Sequence, residues 1–434
     1  MTPLKVILSR FLQNEKMVFV VVLLSFFYRT AYAVLIADQM SGQDADTYSK
    51  AAQLILSDGP FASGTGAPYY AIGYPWFISV IWKIFSVNDH AVGVVQNLLL
   101  AFAILAFYKT VENYFSRQIA FITLTILVIN PALTANVSLI AYETPMMSFL
   151  MLGFFFLTKA FYSSNQSTNF LRNLMFAGIY FTCAITLQPK ILPSIIFVII
   201  FLFSRKKLHK DIVRKWTGLI LVFAVLSLGP IAAINRNVQA GDGFGYTANF
   251  YANVELGARN SNVEFDFSKC PASNFDSFGK TLCILNAKLH SPSGTFKSAL
   301  HNGTYFWTPY VGNLKWMGTW FHGADLRRLV PSYTWYDKNS IWFSVDRITG
   351  YLWTLLILSM ILFGMKRALS SFRGLESLFL FAVPVLLLWS VSLISYGESR
   401  YRLPILPFYT VFIAVAIDSF LKWLSERRHS VKNE

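Results

Sequence analysis

The chain has 434 residues, of which 55% are hydrophobic, 17% aromatic and only 14% charged. That balance argues against a water-soluble globular domain and is typical of a polytopic membrane protein. The formal net charge of +15 raises nucleic acid as a partner, but the basic residues lie between apolar segments rather than in one patch. We therefore predict no nucleic-acid binding and interpret the charge as a signal for orientation in a membrane.

Apolar segments recur along the chain, and a helix needs about 20 apolar residues to cross a bilayer. Residues 70–86 are apolar but short and contain Pro75, so we predict a helix in the membrane interface there. The sequence thus predicts an all-α, polytopic membrane protein, a bundle of about ten transmembrane helices with interfacial helices in the first outer loop. The crossings are predicted at 17–36, 91–110, 117–135, 144–161, 171–187, 190–204, 216–235, 350–365, 375–395 and 403–422.

Lysine and arginine set the predicted orientation. The most basic connecting segment, "SRKKLHKDIVRK" at 204–215, falls on the same side as both chain ends, so we predict that both termini are cytoplasmic. The chain start offers an alternative, because a basic start, an apolar run and "AYA" at 31–33 resemble a cleavable secretory signal. An anchor helix is favoured, since Arg29 interrupts the run and apolar residues resume after it.

Two polar regions on the predicted outer side divide the chain. We expect an N-terminal transmembrane module at 1–235 with a catalytic first outer loop at 37–90, an extracytoplasmic loop domain at 236–347, and a C-terminal transmembrane module with a cytoplasmic tail at 348–434. In the loop domain, Cys270 and Cys283 are compatible with a disulfide or with two free thiols. Its aromatic stretch at 303–342 suits either sugar stacking or a membrane interface.

The first polar region predicts an amphipathic helix. In "DADTYSKAAQLILSDG" the apolar residues recur at helical spacing, and Gly59 supplies a stop. Asp44 and Asp46 fall at the N-terminal end, where a carboxylate caps the helix. One aspartate suffices for capping, which leaves the other for chemistry.

Several ionisable residues are predicted at membrane depth or at the outer face. A charged side chain at the bilayer centre costs about 2.5 to 3.5 kcal/mol, so each of these residues needs a reason. We predict that they converge on one aqueous cavity. The residues are Asp44, Asp46, Glu143, Lys190, Glu398, Arg400 and Arg402.

The cations suit a phosphate. Guanidinium groups bind phosphate bidentately, and Arg400 and Arg402 lie at the start of the last crossing. The alternatives are that these arginines extend to lipid headgroups and that Lys190 marks a tight turn. Arg29 is predicted to reach the interface or to pair with a carboxylate. A sugar carried on a polyprenyl phosphate requires cations for the leaving phosphate and a carboxylate for the acceptor proton.

Five segments in order resemble a known family. They are "DADTY", "IGYPWFISVIWKIF", "INPALTANVSLIAYETPMMSFLMLGFFFLTKA", "ITLQPK" and "ESRYRLPILPF". Together they resemble the GT-C superfamily of integral-membrane glycosyltransferases, especially the protein mannosyltransferases and the lipid A aminoarabinose transferase. The resemblance covers roughly 17–205 and 350–422. It implies an extracytoplasmic active site and a polyprenyl-phosphate-linked sugar as donor.

The resemblance also implies residue roles. Asp44, four positions before Tyr48, takes the place of the catalytic acid, and Asp46 completes a two-acid motif. Glu143 matches a second acidic position. Lys190 and the pair Arg400 and Tyr401 match positions at the lipid phosphate end, where Arg402 adds a further cation. A divalent cation at Asp44 and Asp46 is chemically reasonable and stays open.

These inferences predict a glycosyltransferase of the bacterial inner membrane. It would move a hexose or pentose from undecaprenyl phosphate to a glycan, lipid or protein acceptor in the cell envelope, such as lipopolysaccharide, at the periplasmic face. The other partners are membrane lipids. The alternatives are a lipid-linked glycan polymerase or ligase and a flippase, for which paired broken helices would be expected.

Overall fold

A computed structural model describes residues 15–36, 43–65, 70–162, 167–204, 212–241, 249–261, 263, 265–267, 270, 277–307, 341–371, 373–397 and 399–430. Their regular secondary structure is helical. The α-helices are α1 (Glu15–Ala31), α2 (Gln43–Asp58), α3 (Gly73–Phe85), α4 (Asp89–Tyr114), α5 (Arg117–Ile129), α6 (Pro131–Val137), α7 (Glu143–Tyr162), α8 (Ser167–Leu187), α9 (Leu192–Ser204), α10 (Ile212–Gln239), α11 (Asn249–Asn260), α12 (Ser277–Leu289), α13 (Pro292–Trp307), α14 (Ile341–Ser371), α15 (Leu375–Ile394) and α16 (Leu406–Ser430). A π-helical turn, Tyr32–Ile36, continues α1, and 3-10 turns precede α9 (Pro189–Ile191) and α16 (Ser399–Ile405).

The predicted class, an all-α polytopic membrane protein, is confirmed. Eight helices in the described ranges are long and apolar enough to cross a membrane, and they correspond to the predicted crossings that contain α1, α4, α7, α8, α10, α14, α15 and α16. The other two predicted crossings are shorter apolar helices, α5 and α9 with its preceding turn. The interfacial segment predicted at 70–86 forms α3.

The predicted crossing at 117–135 ends earlier than expected. Asn130 stops α5 and begins α6, because its side-chain oxygen accepts a hydrogen bond from the backbone N–H of Ala132 at 2.9 Å. Pro131 occupies the first turn of α6, where a missing N–H costs nothing. A local cap thus divides what hydropathy shows as one apolar run.

Helix α16 lies at the centre of the bundle, and 83% of its apolar window is buried, against 17% for α14. The side of α14 that faces away from the bundle exposes apolar side chains such as Leu352, Leu355 and Leu362, as expected for a lipid-facing surface. Its inner side carries Gly364, where a Cβ atom would collide with the backbone carbonyl of Phe412 in α16. A small residue therefore lets these two helices approach closely.

The environment of Arg29 differs from expectation. It is 1% exposed and donates hydrogen bonds from Nη2 to the carbonyl oxygens of Leu127 at 2.7 Å and Val128 at 3.0 Å. Those carbonyls end α5 and have no partner within the helix. Arg29 therefore caps a helix C-terminus, and its prediction as an interfacial or carboxylate-paired residue is wrong.

Helices α11, α12 and α13 lie within the segment predicted as an extracytoplasmic domain, and we call them the outer helical unit. Cys270 and Cys283 form a disulfide with a Cα–Cα distance of 5.6 Å. The neighbouring helices α10 and α14 reach several residues into the segment predicted as a loop domain. Residues 308–340, which hold most of the predicted aromatic stretch, lie outside the described ranges.

The segment that follows α2 is hydrogen-bonded to the bundle through α10. Arg236, near the end of α10, is fully buried and donates hydrogen bonds to the carbonyl oxygen of Ala62 and the hydroxyl oxygen of Thr65. A buried guanidinium needs such acceptors, so this contact fixes where the loop lies. The segment that follows α2 and the C-terminus of α10 therefore share one end of the bundle.

Candidate active site

Helix α2 has the predicted position and amphipathic character. Asp44 and Asp46 lie in its first turn, and Gly59 ends it with a φ of +92°, a conformation that glycine adopts readily. The helix buries the apolar face that faces the bundle. The buried residues are Ala45, Tyr48, Ala51, Ala52 and Ile55.

The two aspartates of α2 have different surroundings. Asp44 is half-buried, and its Oδ1 accepts a hydrogen bond from the hydroxyl of Tyr70 at 3.5 Å. Asp46 is exposed, because residues two positions apart on a helix leave different faces. Asp44 is thus the acid directed toward the neighbouring elements.

A divalent cation at Asp44 and Asp46 would need further ligands. Nowhere in the described ranges do three side chains from His, Cys, Asp and Glu come together as metal ligands. Mg²⁺ is usually held by one or two carboxylates together with substrate phosphates and water, so a cation bound at Asp44 would draw its other ligands from a phosphate and from water.

Tyr48, one turn after Asp44 on α2, is the centre of a cluster of tyrosines. The ring of Tyr48 lies edge-on to those of Tyr70, Tyr74 and Tyr142, at centroid distances of 5.5, 5.1 and 6.5 Å. Such edge-to-face pairs are each worth about 0.5 to 1.5 kcal/mol beyond the burial of their area. The cluster joins α2, α3 and the segment before α7, and so fixes the aspartate helix against the bundle.

A buried glutamine supports this cluster from α4. The hydroxyl of Tyr74 donates to Gln96 Oε1 at 2.9 Å, and Gln96 Nε2 donates to the carbonyl oxygens of Val137 and Leu139 at 3.2 and 3.1 Å. Gln96 thereby provides a hydrogen-bond donor for the carbonyl oxygens at the end of α6 and also orients the Tyr74 hydroxyl. Sequence reasoning had assigned neither residue a role.

Glu143 begins α7 and is 2% exposed. Burial and the nearby Glu143 carboxylate raise the pKa of the Tyr74 hydroxyl well above its usual value. The carboxylate therefore lies close enough to the tyrosine cluster to act on it electrostatically. A helix N-terminus also favours a carboxylate by about 0.3 to 1 kcal/mol, which offsets part of the cost of burying one at the start of α7.

Lys190 meets the C-terminal part of the chain. It lies in the turn between α8 and α9, and its Nζ is 4.2 Å from the centroid of the Tyr401 ring. Gln188, two residues earlier, donates from Nε2 to the hydroxyl of Tyr142 at 3.1 Å. The turn thus connects the tyrosine cluster to Tyr401, which is more than a tight turn requires.

Arg402 lies in the 3-10 turn before α16. Its Nη1 donates to the carbonyl oxygen of Trp307 at 2.8 Å, and its guanidinium lies 5.5 Å from the centroid of the Trp307 ring. The fixed planar group therefore has a defined direction. The side chain of Arg400 and the whole of Glu398 lie outside the described part of the chain.

One series of contacts runs from acid to cation. Asp44 contacts Tyr70, whose ring packs on Tyr48, and Tyr48 packs on Tyr142. Gln188 then continues from Tyr142 to the turn that carries Lys190. The sequence had given no role to the side chains that form this series or support it, although three of them, Tyr74, Tyr142 and Gln188, lie within the quoted segments. The residues without an assigned role are Tyr70, Tyr74, Gln96, Tyr142, Gln188 and Trp307.

One part of the chain matches a known protein family. Residues 69–231 match the family described as dolichyl-phosphate-mannose-protein mannosyltransferase. That match covers less than half of the chain and includes Glu143 and Lys190 but not Asp44 or Arg402. No protein with a curated function matches the chain in sequence.

The fold is similar to that of solved oligosaccharyltransferases of Archaeoglobus fulgidus. The apo enzyme gives a TM-score of 0.51 at 12% identity, with 97% of this chain and 52% of that chain covered. AglB from the same organism, in complex with an inhibitory peptide and a dolichol-phosphate, gives 0.52 at 14% identity, with 96% and 52% covered. The chain thus spans about half the length of these relatives.

A bacterial structure shows a weaker likeness. ArnT from Cupriavidus metallidurans bound to undecaprenyl phosphate gives a TM-score of 0.40 at 10% identity, with 93% of this chain and 78% of that chain covered. The next conclusion rests on the family match and the archaeal fold alone. They confirm the resemblance to the GT-C integral-membrane glycosyltransferases and its polytopic helical fold.

Proposed function

We propose that this protein is a glycosyltransferase that moves a sugar from a polyprenyl-phosphate donor, undecaprenyl phosphate in a bacterium, to a glycan, lipid or protein acceptor at the periplasmic face of the inner membrane. The observation that carries the proposal is the series of contacts from Asp44 to Lys190 at one end of a membrane bundle. The family match and the dolichol-phosphate held by the archaeal structural relative support a lipid-linked donor.

The proposed reaction needs one proton acceptor and one anion site. The acceptor hydroxyl oxygen attacks the anomeric carbon of the sugar while the bond from that carbon to the phosphate oxygen breaks. Asp44 takes the hydroxyl proton as general base, and the lipid phosphate leaves with one more negative charge. Lys190, Arg400 and Arg402 neutralise that charge, which lowers the barrier because the charge develops in the transition state.

Other residues support these groups. The hydrogen bond from Tyr70 restricts the rotation of the Asp44 carboxylate. Asp46 and Glu143 are the supporting acids of the site, in the first turns of α2 and α7. Tyr401 places an aromatic face under Lys190 and holds the ammonium where the phosphate is expected.

Purified protein in lipid nanodiscs tests the proposal. It would be supplied with synthetic undecaprenyl-phosphate sugars, both hexoses and pentoses, and with lipid, glycan and peptide acceptors. We expect Asp44→Asn to lower kcat by about 10² to 10⁴. Asp58→Asn, at the other end of the same helix, is the matched control and should transfer at the wild-type rate.

Two outcomes decide against parts of the proposal. Equal transfer by the wild type and Asp44→Asn would remove Asp44 as the base. Transfer only from a diphosphate-linked oligosaccharide would favour the ligase alternative. This donor is included in the experiment because the fold is similar to that of oligosaccharyltransferases. Movement of the lipid-linked sugar between leaflets without transfer would favour the flippase.

A further inference from the structure

The outer helical unit packs against the segment that leads to Arg402 and forms hydrogen bonds with it. Helix α15 ends at Ile394, and Ser395 to Gly397 connect it to the 3-10 turn Ser399–Ile405, apart from residue 398, which lies outside the described ranges. We call residues 394–397 the connecting segment. Its position decides where the arginine-bearing turn begins.

Two buried donors hold consecutive carbonyls of the connecting segment. Lys288 in α12 donates from Nζ to the carbonyl oxygen of Ile394 at 2.8 Å, and Asn302 in α13 donates from Nδ2 to that of Ser395 at 2.6 Å. Lys288 is 4% exposed and Asn302 is fully buried. Burying a lysine is costly, and the hydrogen bond of Lys288 to the end of α15 offsets part of that cost while it fixes the connecting segment.

The fit around the connecting segment is tight as well. A Cβ atom added at Gly257 in α11 would collide with the carbonyl oxygen of Ser395. One added at Gly397 would collide with the carbonyl oxygen of Asn302. Backbone therefore lies against backbone on both sides, and the segment has little freedom to shift relative to the unit.

The same unit also holds the far end of this region. Arg402 donates to the carbonyl oxygen of Trp307, the last residue of α13, while Asn302 lies in that helix five residues earlier. One rigid helix thus contacts the chain both before and after the arginine-bearing turn. A shift of α13 would move both contacts together.

We infer that Lys288 and Asn302 are positioning residues which, through the connecting segment, fix the guanidinium of Arg402 for a lipid phosphate. This inference rests on the proposed function. Neither residue touches the donor; both act on the backbone that carries Arg402. The outer helical unit is thereby part of the phosphate site, although it contributes no cation to it.

The test measures binding rather than turnover. Undecaprenyl phosphate without a sugar is titrated into the full-length protein in nanodiscs, for the wild type, Lys288→Met, Arg402→Gln and the double variant. We expect Lys288→Met to weaken binding about tenfold, and to cause no further loss when Arg402 is already replaced, since coupled residues are not additive. A purely structural role would give the same fold-loss in both backgrounds.

Controls keep the inference open to refutation. Lys297→Met replaces an exposed lysine of α13 and should bind as the wild type does. Lys288→Arg keeps a charged donor and should recover part of the affinity. If Lys288→Met does not fold, Gly397→Ala tests the same contact by steric displacement, and an unchanged affinity would overturn the inference.

Failure of the inference and failure of the proposed function give different results. A wild type that binds no undecaprenyl phosphate refutes the donor assignment and the inference with it. A wild type that binds, with independent losses for Lys288→Met and Arg402→Gln, refutes the inference alone. The proposed transferase then stands on its own experiment.

Discussion

The ammonium of Lys190 lies 4.2 Å from the centre of the Tyr401 ring, although the two residues are far apart in the sequence. A cation over an aromatic face gains about 0.5 to 2 kcal/mol, depending on how much water is excluded. This contact holds one proposed phosphate ligand in place before any donor arrives. It also joins the turn after α8 to the turn before α16.

Replacing Tyr401 tests that contact. Tyr401→Leu removes the aromatic face, so we expect the KM for the lipid-linked donor to rise several-fold with a smaller change in kcat. Tyr401→Phe keeps the face and should behave as the wild type does. Steady-state kinetics at varied donor concentration would check this, and equal damage by both substitutions would shift the role to the hydroxyl.

Lys288 predicts a pH dependence of stability. Burial lowers the pKa of Lys288 from 10.5 to about 8. Between these values the unfolded chain holds a proton that the folded chain has released, so the free energy of unfolding should rise with pH in this window. Below about pH 8 the lysine is charged in both states, and this contribution is absent.

Thermal unfolding from pH 7 to 10 would measure this effect. The comparison is between the wild type and Lys288→Met, whose unfolding should lack the Lys288 part of the rise. Identical slopes for the two proteins would show that burial does not shift this lysine.

The disulfide between Cys270 and Cys283 predicts a redox-sensitive outer helical unit. The two cysteines are 13 residues apart, and a disulfide that closes a loop of this length stabilises the folded protein by about 3 kcal/mol. Cys270→Ser should therefore lower the unfolding temperature, and so should a reductant added to the wild type. Cys183→Ser, which removes the free thiol in α8, should have little effect. Thiol labelling of the denatured, unreduced protein should find one thiol, and three would contradict the bond.

Gly364 predicts a steric effect inside the bundle. Because its Cβ position meets the Phe412 carbonyl, Gly364→Val should force α14 away from α16 and cost about 1 to 3 kcal/mol. Leu362→Ala, on the exposed side of the same helix, should cost much less. Unfolding temperatures in nanodiscs would compare the two, and equal losses would argue against the close approach.

Arg29 predicts a structural rather than catalytic effect. Arg29→Met removes both hydrogen bonds to the end of α5 and leaves buried carbonyl oxygens without a donor, at a cost of about 1 to 3 kcal/mol. The unfolding temperature should fall, while the donor KM of the folded fraction should stay unchanged. A raised KM with normal stability would place Arg29 in the site instead.

Much of the fold could be predicted from the sequence because its signals are local. Long apolar runs show the crossings, and helical spacing with a glycine stop shows α2. The end of α5 was missed, since the cap formed by Asn130 and Pro131 lies within an apolar run. The partner of Arg29 was missed because Leu127 and Val128 are distant in sequence and offer only backbone oxygens.

The candidate site was predictable in its charges but not in its connections. Charged residues in apolar surroundings are costly, which singles out Glu143 and Lys190 without any structure. Tyrosine is common in cores, at interfaces and in sites alike, so its presence in sequence decides nothing. The role of Tyr48 as the centre of the aromatic cluster appears only when α2, α3 and the segment before α7 are brought together.

The short helix α5 has a consequence for the surrounding lipid. Its 13 residues reach only about 20 Å, some 10 Å less than the usual hydrocarbon thickness. Arg29 stabilises this short helix by donating hydrogen bonds to the carbonyl oxygens at its C-terminus. Such mismatch is relieved by local thinning of the bilayer, so the leaflet beside α5 should dip.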